Sequence, residues 1–68
     1  MNMEIKVNLN EPIKKSGVKK KHIAKELGVN QNTLSAWISG RSPISLINAA
    51  RISIMIGCDL NDLIEIEQ

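Results

Sequence analysis

The sequence has no phenylalanine and no tyrosine, and Trp37 is its single aromatic residue. Eleven isoleucines and six leucines take their place. A core this aliphatic suits small helices packed at close range. With only one cysteine, Cys58, the chain has neither an intramolecular disulfide framework nor a cysteine-rich zinc site. His22 is likewise alone, with no metal-ligand cluster around it. Apolar runs extend only a few residues, too short to span a bilayer. The opening MNMEIKVNLNE lacks the basic flank and long apolar stretch of a signal peptide. Together with the free thiol, this sets the expectation of a cytoplasmic protein with no membrane segment, metal or cofactor.

What the chain does have is enough for one domain, residues 1–68. At 68 residues and 43% hydrophobic content it reads as globular rather than disordered. A chain of that size buries only about 60% of its unfolded surface, so stability has little slack. The net charge of +2 is uninformative, but its distribution is not. Residues 1–51 carry all nine Lys and Arg against Glu4, Glu11 and Glu26. Residues 52–68 carry Asp59, Asp62, Glu65 and Glu67 and no base. That asymmetry suggests a polyanion-facing surface backed by an acidic tail. The plainer alternative is an ordinary solvated surface, and a motif must decide between them.

Read in order, Met3, Ile5, Val7 and Leu9 alternate with polar residues, which predicts a strand-like arm over residues 1–9. Asn10 is expected to cap a short helix with Glu11 and Pro12 in its first turn, ended by Gly17. A second helix is expected over Lys19–Leu27, interrupted by Gly28. Asn30 should cap a third, Gln31–Ser39, closed by Gly40. A longer apolar helix is expected at about Ser45–Ile56, stopping at Gly57. Asp59 then caps a last helical turn to about Leu63, and Ile64 and Ile66 alternate with acids in a second strand-like tail, residues 64–68. No linker, repeat or low-complexity segment breaks the pattern.

Residues 20–39 have the layout of a helix-turn-helix. Two helices crossing steeply need a tight turn, a small residue where they touch and apolar residues facing a shared core. Ala24 supplies the small contact, and Gly28 supplies the turn, where positive φ is required. Ile23, Leu27, Val29, Leu34 and Trp37 supply the core. A plain helical hairpin would show similar spacing, so the motif alone has false positives. The wider text, KKKHIAKELGVNQNTLSAWISGRSPIS followed by LINAARISIMIGCDLNDLIEI, resembles the Cro- and lambda-repressor-like (XRE) helix-turn-helix regulators over about residues 10–66. The resemblance implies an all-α, compact, five-helix lambda-repressor-like DNA-binding domain, here with short N- and C-terminal strands that pair.

The third helix begins Asn30, Gln31, Asn32, Thr33, polar and uncharged. Gln and Asn can donate and accept together, matching adenine N6 and N7, and a Thr methyl can touch thymine. A helix N-terminus also offers unpaired amides and partial positive charge. The resemblance places base contacts at Gln31, Asn32 and Thr33, with Ser35 and Ala36 near the groove. Phosphate contacts are expected from Lys19, Lys20 and Lys21 and from Ser39 and Arg41, with Lys14 and Lys15 as weaker candidates. Taken alone, the polar run is also an ordinary solvent-facing helix start, and the lysines an ordinary solvated surface. The chain departs from the family pattern at Ala36, where a long polar side chain is common, and at Ile38, where an acid is common. His22 and Cys58 read as structural, since neither has a partner for acid–base or nucleophilic work.

The expected function is sequence-specific binding of double-stranded DNA as a small regulator, a repressor or phage-like switch protein, and not an enzyme. One helix reads few base pairs, so a homodimer on a two-fold-related site is the expected form. The alternative is a protein-interaction module, an antitoxin or adaptor, that keeps the same fold. A dimer or partner surface is expected on the fourth helix at Ile47 and Ile54, seven residues apart on one face. The terminal strands offer a second candidate contact for a protein partner.

Overall fold

The computed structural model describes residues 4–67. Met3, the first apolar residue of the alternating arm, and Gln68 lie outside them. Strand β1 (Glu4–Val7) is followed by α1 (Asn10–Ser16), α2 (Lys20–Leu27), α3 (Gln31–Ser39) and α4 (Leu46–Ile56). A 3-10 turn over Leu60–Leu63 then leads into strand β2 (Ile64–Glu67). The two ends meet as expected. β1 and β2 form an antiparallel ribbon in the register Glu4 to Glu67, Ile5 to Ile66, Lys6 to Glu65 and Val7 to Ile64.

The expected count of five helices is corrected, among the described residues, to four α-helices and a single 3-10 turn. Between Gly57 and the start of β2 the chain must turn and become extended again, which leaves room for one turn only. The Asp62 amide donates to the Asp59 carbonyl at 2.9 Å, and the Asp62 carboxylate accepts from the Asp59 amide at 3.1 Å. At Ile64 the backbone is already extended, at φ −111° and ψ 131°.

A second correction concerns the first helix. Asn10 is its first residue rather than its cap, and Leu9 in the capping position makes no side-chain bond. Leu9 is fully buried, and its carbonyl accepts from the Ile13 amide at 3.1 Å. Burial of an apolar anchor therefore sets the entry to α1, overriding the preference of Asn for a cap. The remaining boundaries differ by a residue: Lys19 and Ser45 stand as extended caps before α2 and α4 rather than inside them.

Leu9, Ile13, Ile23, Leu34, Ile52 and Leu63 are the large fully buried side chains, drawn from every helix and from both chain ends. Ala24 is buried beside them, Ala49 is buried on α4, and Val7, Leu27, Val29 and Trp37 pack around the edge. The one buried polar residue among those described, Ser53, donates to the Ala50 carbonyl at 2.6 Å, so its hydroxyl is not stranded. No helix among the described residues is long and apolar enough to cross a membrane.

Candidate nucleic-acid interface

The turn that aims α3 is built locally. Gly28 ends α2 at φ +71°, a left-handed conformation costly for any residue with a Cβ. Its amide reaches the Lys25 carbonyl at 3.2 Å, and the Val29 amide reaches the Ala24 carbonyl at 3.0 Å, closing the last turn of α2. Asn30 then begins α3, its side-chain oxygen accepting from the Thr33 amide at 2.7 Å. Ile23, Ala24 and Leu34 are buried between the two helices and the core. Their packing holds α3 in a fixed orientation with its first turn outward.

That first turn carries the polar row. Gln31, Asn32 and Ser35 are exposed, and Thr33 and Ala36 are half-buried at the margin of the same face. The Asn30 cap satisfies the Thr33 amide and leaves those of Gln31 and Asn32 at the open helix end. A shallow cleft of ≈ 430 Å³ lies against this end, lined by Lys21, Ala24, Lys25, Val29, Asn30, Gln31 and Asn32. Lys25, which sequence reasoning left out, thus joins Lys21 beside the start of α3. The signal for it was present, since residues four apart in a helix share a face.

The other bases divide between two clefts. Lys19 and Lys20 lie with Lys14 along a cleft of ≈ 580 Å³ between α1 and the start of α2. Lys15 lines a different cleft, which Lys14 also borders, with Glu11 and Asp62 at its walls. Of the two weaker candidates, Lys14 is therefore the one placed beside the α2 lysines. At the far end of α3, Ser39 and Arg41 form a small chain of bonds. Arg41 Nε donates to Ser39 Oγ at 3.0 Å, and that hydroxyl donates to the Ala36 carbonyl at 3.2 Å. The Ser42 amide donates to the same carbonyl at 3.2 Å. Ser39 thus spends its proton on its own helix and orients the guanidinium of Arg41.

Ile47 and Ile54 stand in the open, 65% and 79% exposed on α4, and Leu46 beside them is 68% exposed. Ala49 and Ile52, by contrast, are buried. Ile47 and Ile54 are therefore surface residues, and Leu46 is an exposed neighbour that their seven-residue spacing does not pick out. His22 is exposed on α2. Cys58 is half-buried, and its thiol is pushed above the usual value by burial first, then by the charges of Asp62 and Asp59. Among the described residues, no group of three or more His, Cys, Asp or Glu side chains is placed to hold a metal ion.

Residues 13–63 match the helix-turn-helix family, from the buried Ile13 of α1 to the buried Leu63 before β2. No curated protein and no solved structure matches the chain at a significant level. The matched span contains the whole of α2, the Gly28 turn, α3 and α4, and it covers well over half of the sequence. The chain belongs to the helix-turn-helix family of Cro- and lambda-repressor-like (XRE) regulators, and it is a DNA-binding helix-turn-helix protein.

Proposed function

We propose that the protein is a small cytoplasmic transcriptional regulator, a repressor or phage-like switch, that binds specific double-stranded DNA as a homodimer and has no enzymatic role. The observation that carries this reading is the exposed amide and hydroxyl row at the start of α3, presented by a rigid turn beside lysines of α2. In this reading α3 enters the major groove. Gln31 and Asn32 each make paired hydrogen bonds to an adenine edge, and the Thr33 methyl packs on a thymine. Ser35 and Ala36 border the groove, Ala36 small enough to allow close approach.

Phosphates on either side of the groove fall to Lys19, Lys20 and Lys21, with Lys14 and Lys25 adjoining them. At the other end of α3, Arg41 takes a phosphate through its remaining N–H groups while Ser39 holds its Nε. Ser39 therefore acts through Arg41 more than by donating to DNA itself. Phosphate contacts position the domain, whereas the α3 side chains select the sequence.

A second reading, an antitoxin- or adaptor-like module, has one observation in its favour: the exposed apolar face of α4 at Leu46, Ile47 and Ile54. A mobility-shift titration at several salt concentrations separates the two. DNA binding through these bases gives an affinity that falls linearly in log–log form with salt. A module that binds only protein shifts no duplex at any salt concentration.

A further inference from the structure

Among the described residues no third strand joins the ribbon of β1 and β2, and hydrogen bonding shows what each edge offers. The Asn8 amide donates to the Leu63 carbonyl at 2.7 Å, and residues 8 and 63 are opposite one another in the ribbon's register. In an antiparallel ladder, bonded and non-bonded pairs alternate. Lys6 with Glu65 and Glu4 with Glu67 are therefore bonded pairs. Ile5 with Ile66 and Val7 with Ile64 turn their N–H and C=O groups away from the ribbon. The outer edge of β1 presents the backbone groups of Ile5 and Val7, and that of β2 those of Ile64 and Ile66. Such edges are templates for another strand.

Side chains add a reason to cover the ribbon. Val7 and Ile64 are half-buried, Val7 against the core, but the next pair out, Ile5 and Ile66, is 62% and 59% exposed. The ribbon thus overhangs the body of the protein with an isoleucine pair in water. A two-stranded ribbon alone is marginal, and more strands with a shared apolar face make it stable.

We propose that two copies of the chain join through the outer edge of β1, forming a four-stranded antiparallel sheet in the order β2–β1–β1–β2 with the two-fold axis at Ile5. This names the contact of the homodimer proposed above and rests on that reading. Charge selects this pairing over its alternatives. Centred on Ile5, each Glu4 stands opposite Lys6 of the second copy, so two symmetry-related pairs are attractive. The Ile5 amides and carbonyls of the two copies then bond to each other, and their side chains lie on one face with Ile66. Centred one residue on, Lys6 would face Lys6.

The edge of β2 has no such solution. Centred on Ile66 it sets Glu65 against Glu67 of the copy, and centred on Glu65 it sets two carboxylates directly opposite. An antiparallel α4 contact centred between Ile47 and Ile54 sets Arg51 against Ala50 of the copy, so it offers apolar contact and no pair of opposite charges. The element that pairs opposite charges across the axis is therefore β1, and the proposal assigns the homodimer contact to it and not to the α4 face.

Sedimentation equilibrium of the full chain without DNA, with thermal melting as a check of folding, tests this. The wild type is expected to be dimeric at micromolar concentration. Ile5→Pro deletes an outward-facing N–H and no β1–β2 ladder bond, so the variant should fold and sediment as a monomer. Ile66→Pro, the same change on the β2 edge, should stay dimeric. Lys6→Glu should raise the dimer dissociation constant at least about tenfold, because both symmetric pairs change sign. Adding Glu4→Lys to Lys6→Glu should restore dimerisation. The double swap keeps the intermolecular pairs opposite, and within the ribbon it still leaves one like and one unlike pair. A monomeric wild type, a dimeric Ile5→Pro or a double swap that fails to restore would each overturn the proposal. So would dissociation by Ile47→Lys with Ile54→Lys when the β1 changes have no effect. The DNA reading stands apart from this outcome. A monomeric variant that still shifts duplex at higher concentration preserves it, and a wild type that shifts none ends it whatever the sheet does.

Discussion

Replacing Gly28 with alanine isolates the conformational cost of the turn that aims α3. Gly28 sits at φ +71°, and a Cβ built there meets no heavy atom within 4 Å. The substitution therefore adds no overlap and removes no hydrogen bond, since the residue 28 amide can still reach the Lys25 carbonyl. What remains is the left-handed backbone of an L-residue, about 1–2 kcal/mol. In a domain of this size each kcal/mol lowers Tm by about 4–8 °C. Urea denaturation at 25 °C should show that loss with an unchanged m-value, because the surface exposed on unfolding is the same. Gly28→Asn should lose less, since asparagine tolerates this region. Below the melting transition, preference among DNA sequences should be unaltered, because the turn keeps its shape. A loss of less than about 0.3 kcal/mol would mean the turn relaxes out of the left-handed region. A loss well beyond about 3 kcal/mol would mean the added methyl meets packing that the open surroundings of Gly28 deny.

Other changes probe the interface and the acidic end separately. Gln31→Ala and Asn32→Ala should each lose discrimination at one or two base pairs, about 1–3 kcal/mol on the preferred site, with little change on non-specific duplex. Equal losses on every sequence, measured by competition shift assays, would remove them from base reading. Lys20→Ala and Arg41→Ala should weaken binding to all sequences and reduce the salt slope by about one unit each. Ser39→Ala should weaken binding in the same sequence-independent way by freeing the guanidinium of Arg41, and an additive Ser39→Ala/Arg41→Ala double variant would show that they act apart. Cys58 should alkylate more slowly near neutral pH than an unstructured cysteine, and Asp62→Asn should quicken it. Because the folded thiol titrates above its ordinary value of 9.0, its contribution to stability is present below that pH and is lost as pH rises through the folded value. Alkylation at the rate of the unfolded chain would contradict that environment.

Where local chemistry decides the structure, the sequence was legible. The end of α2 and both limits of α3 follow from Gly28, Asn30 and Gly40, each acting within a turn of its own position. The pairing of the ends could be read from two-residue alternation at both termini, because an isolated strand is marginal in water and needs a partner. Local signals failed where a distant contact outweighed them. Asn10 has the right chemistry for a cap, but Leu9 is drawn into the core and moves the helix start. At Asp59 the local reading of a single last turn held, and it was the fifth helix implied by the family resemblance that failed, because the chain is already extended at Ile64. The exposure of Ile47 and Ile54 was visible as a heptad-spaced surplus, whereas that of Leu46 was not, since only the docking angle of α4 decides it. The bond from Arg41 to Ser39 depends on how the chain leaves α3, which spacing does not encode. Lys25 stands outside the lysine run at 19–21, and only the helical geometry that sets it one turn beyond Lys21 brings it to the same face.

The central claim is that α3 selects DNA sequence, and selection of bound duplexes from a random pool tests it most directly. The account predicts enrichment of an A·T-containing half-site repeated with two-fold symmetry, its centres about one helical turn or a multiple of it apart. It also predicts that Gln31→Ala and Asn32→Ala relax preference at particular positions of that site and not elsewhere. A pool that gains no sequence preference over successive rounds, while the wild type remains folded, would contradict it.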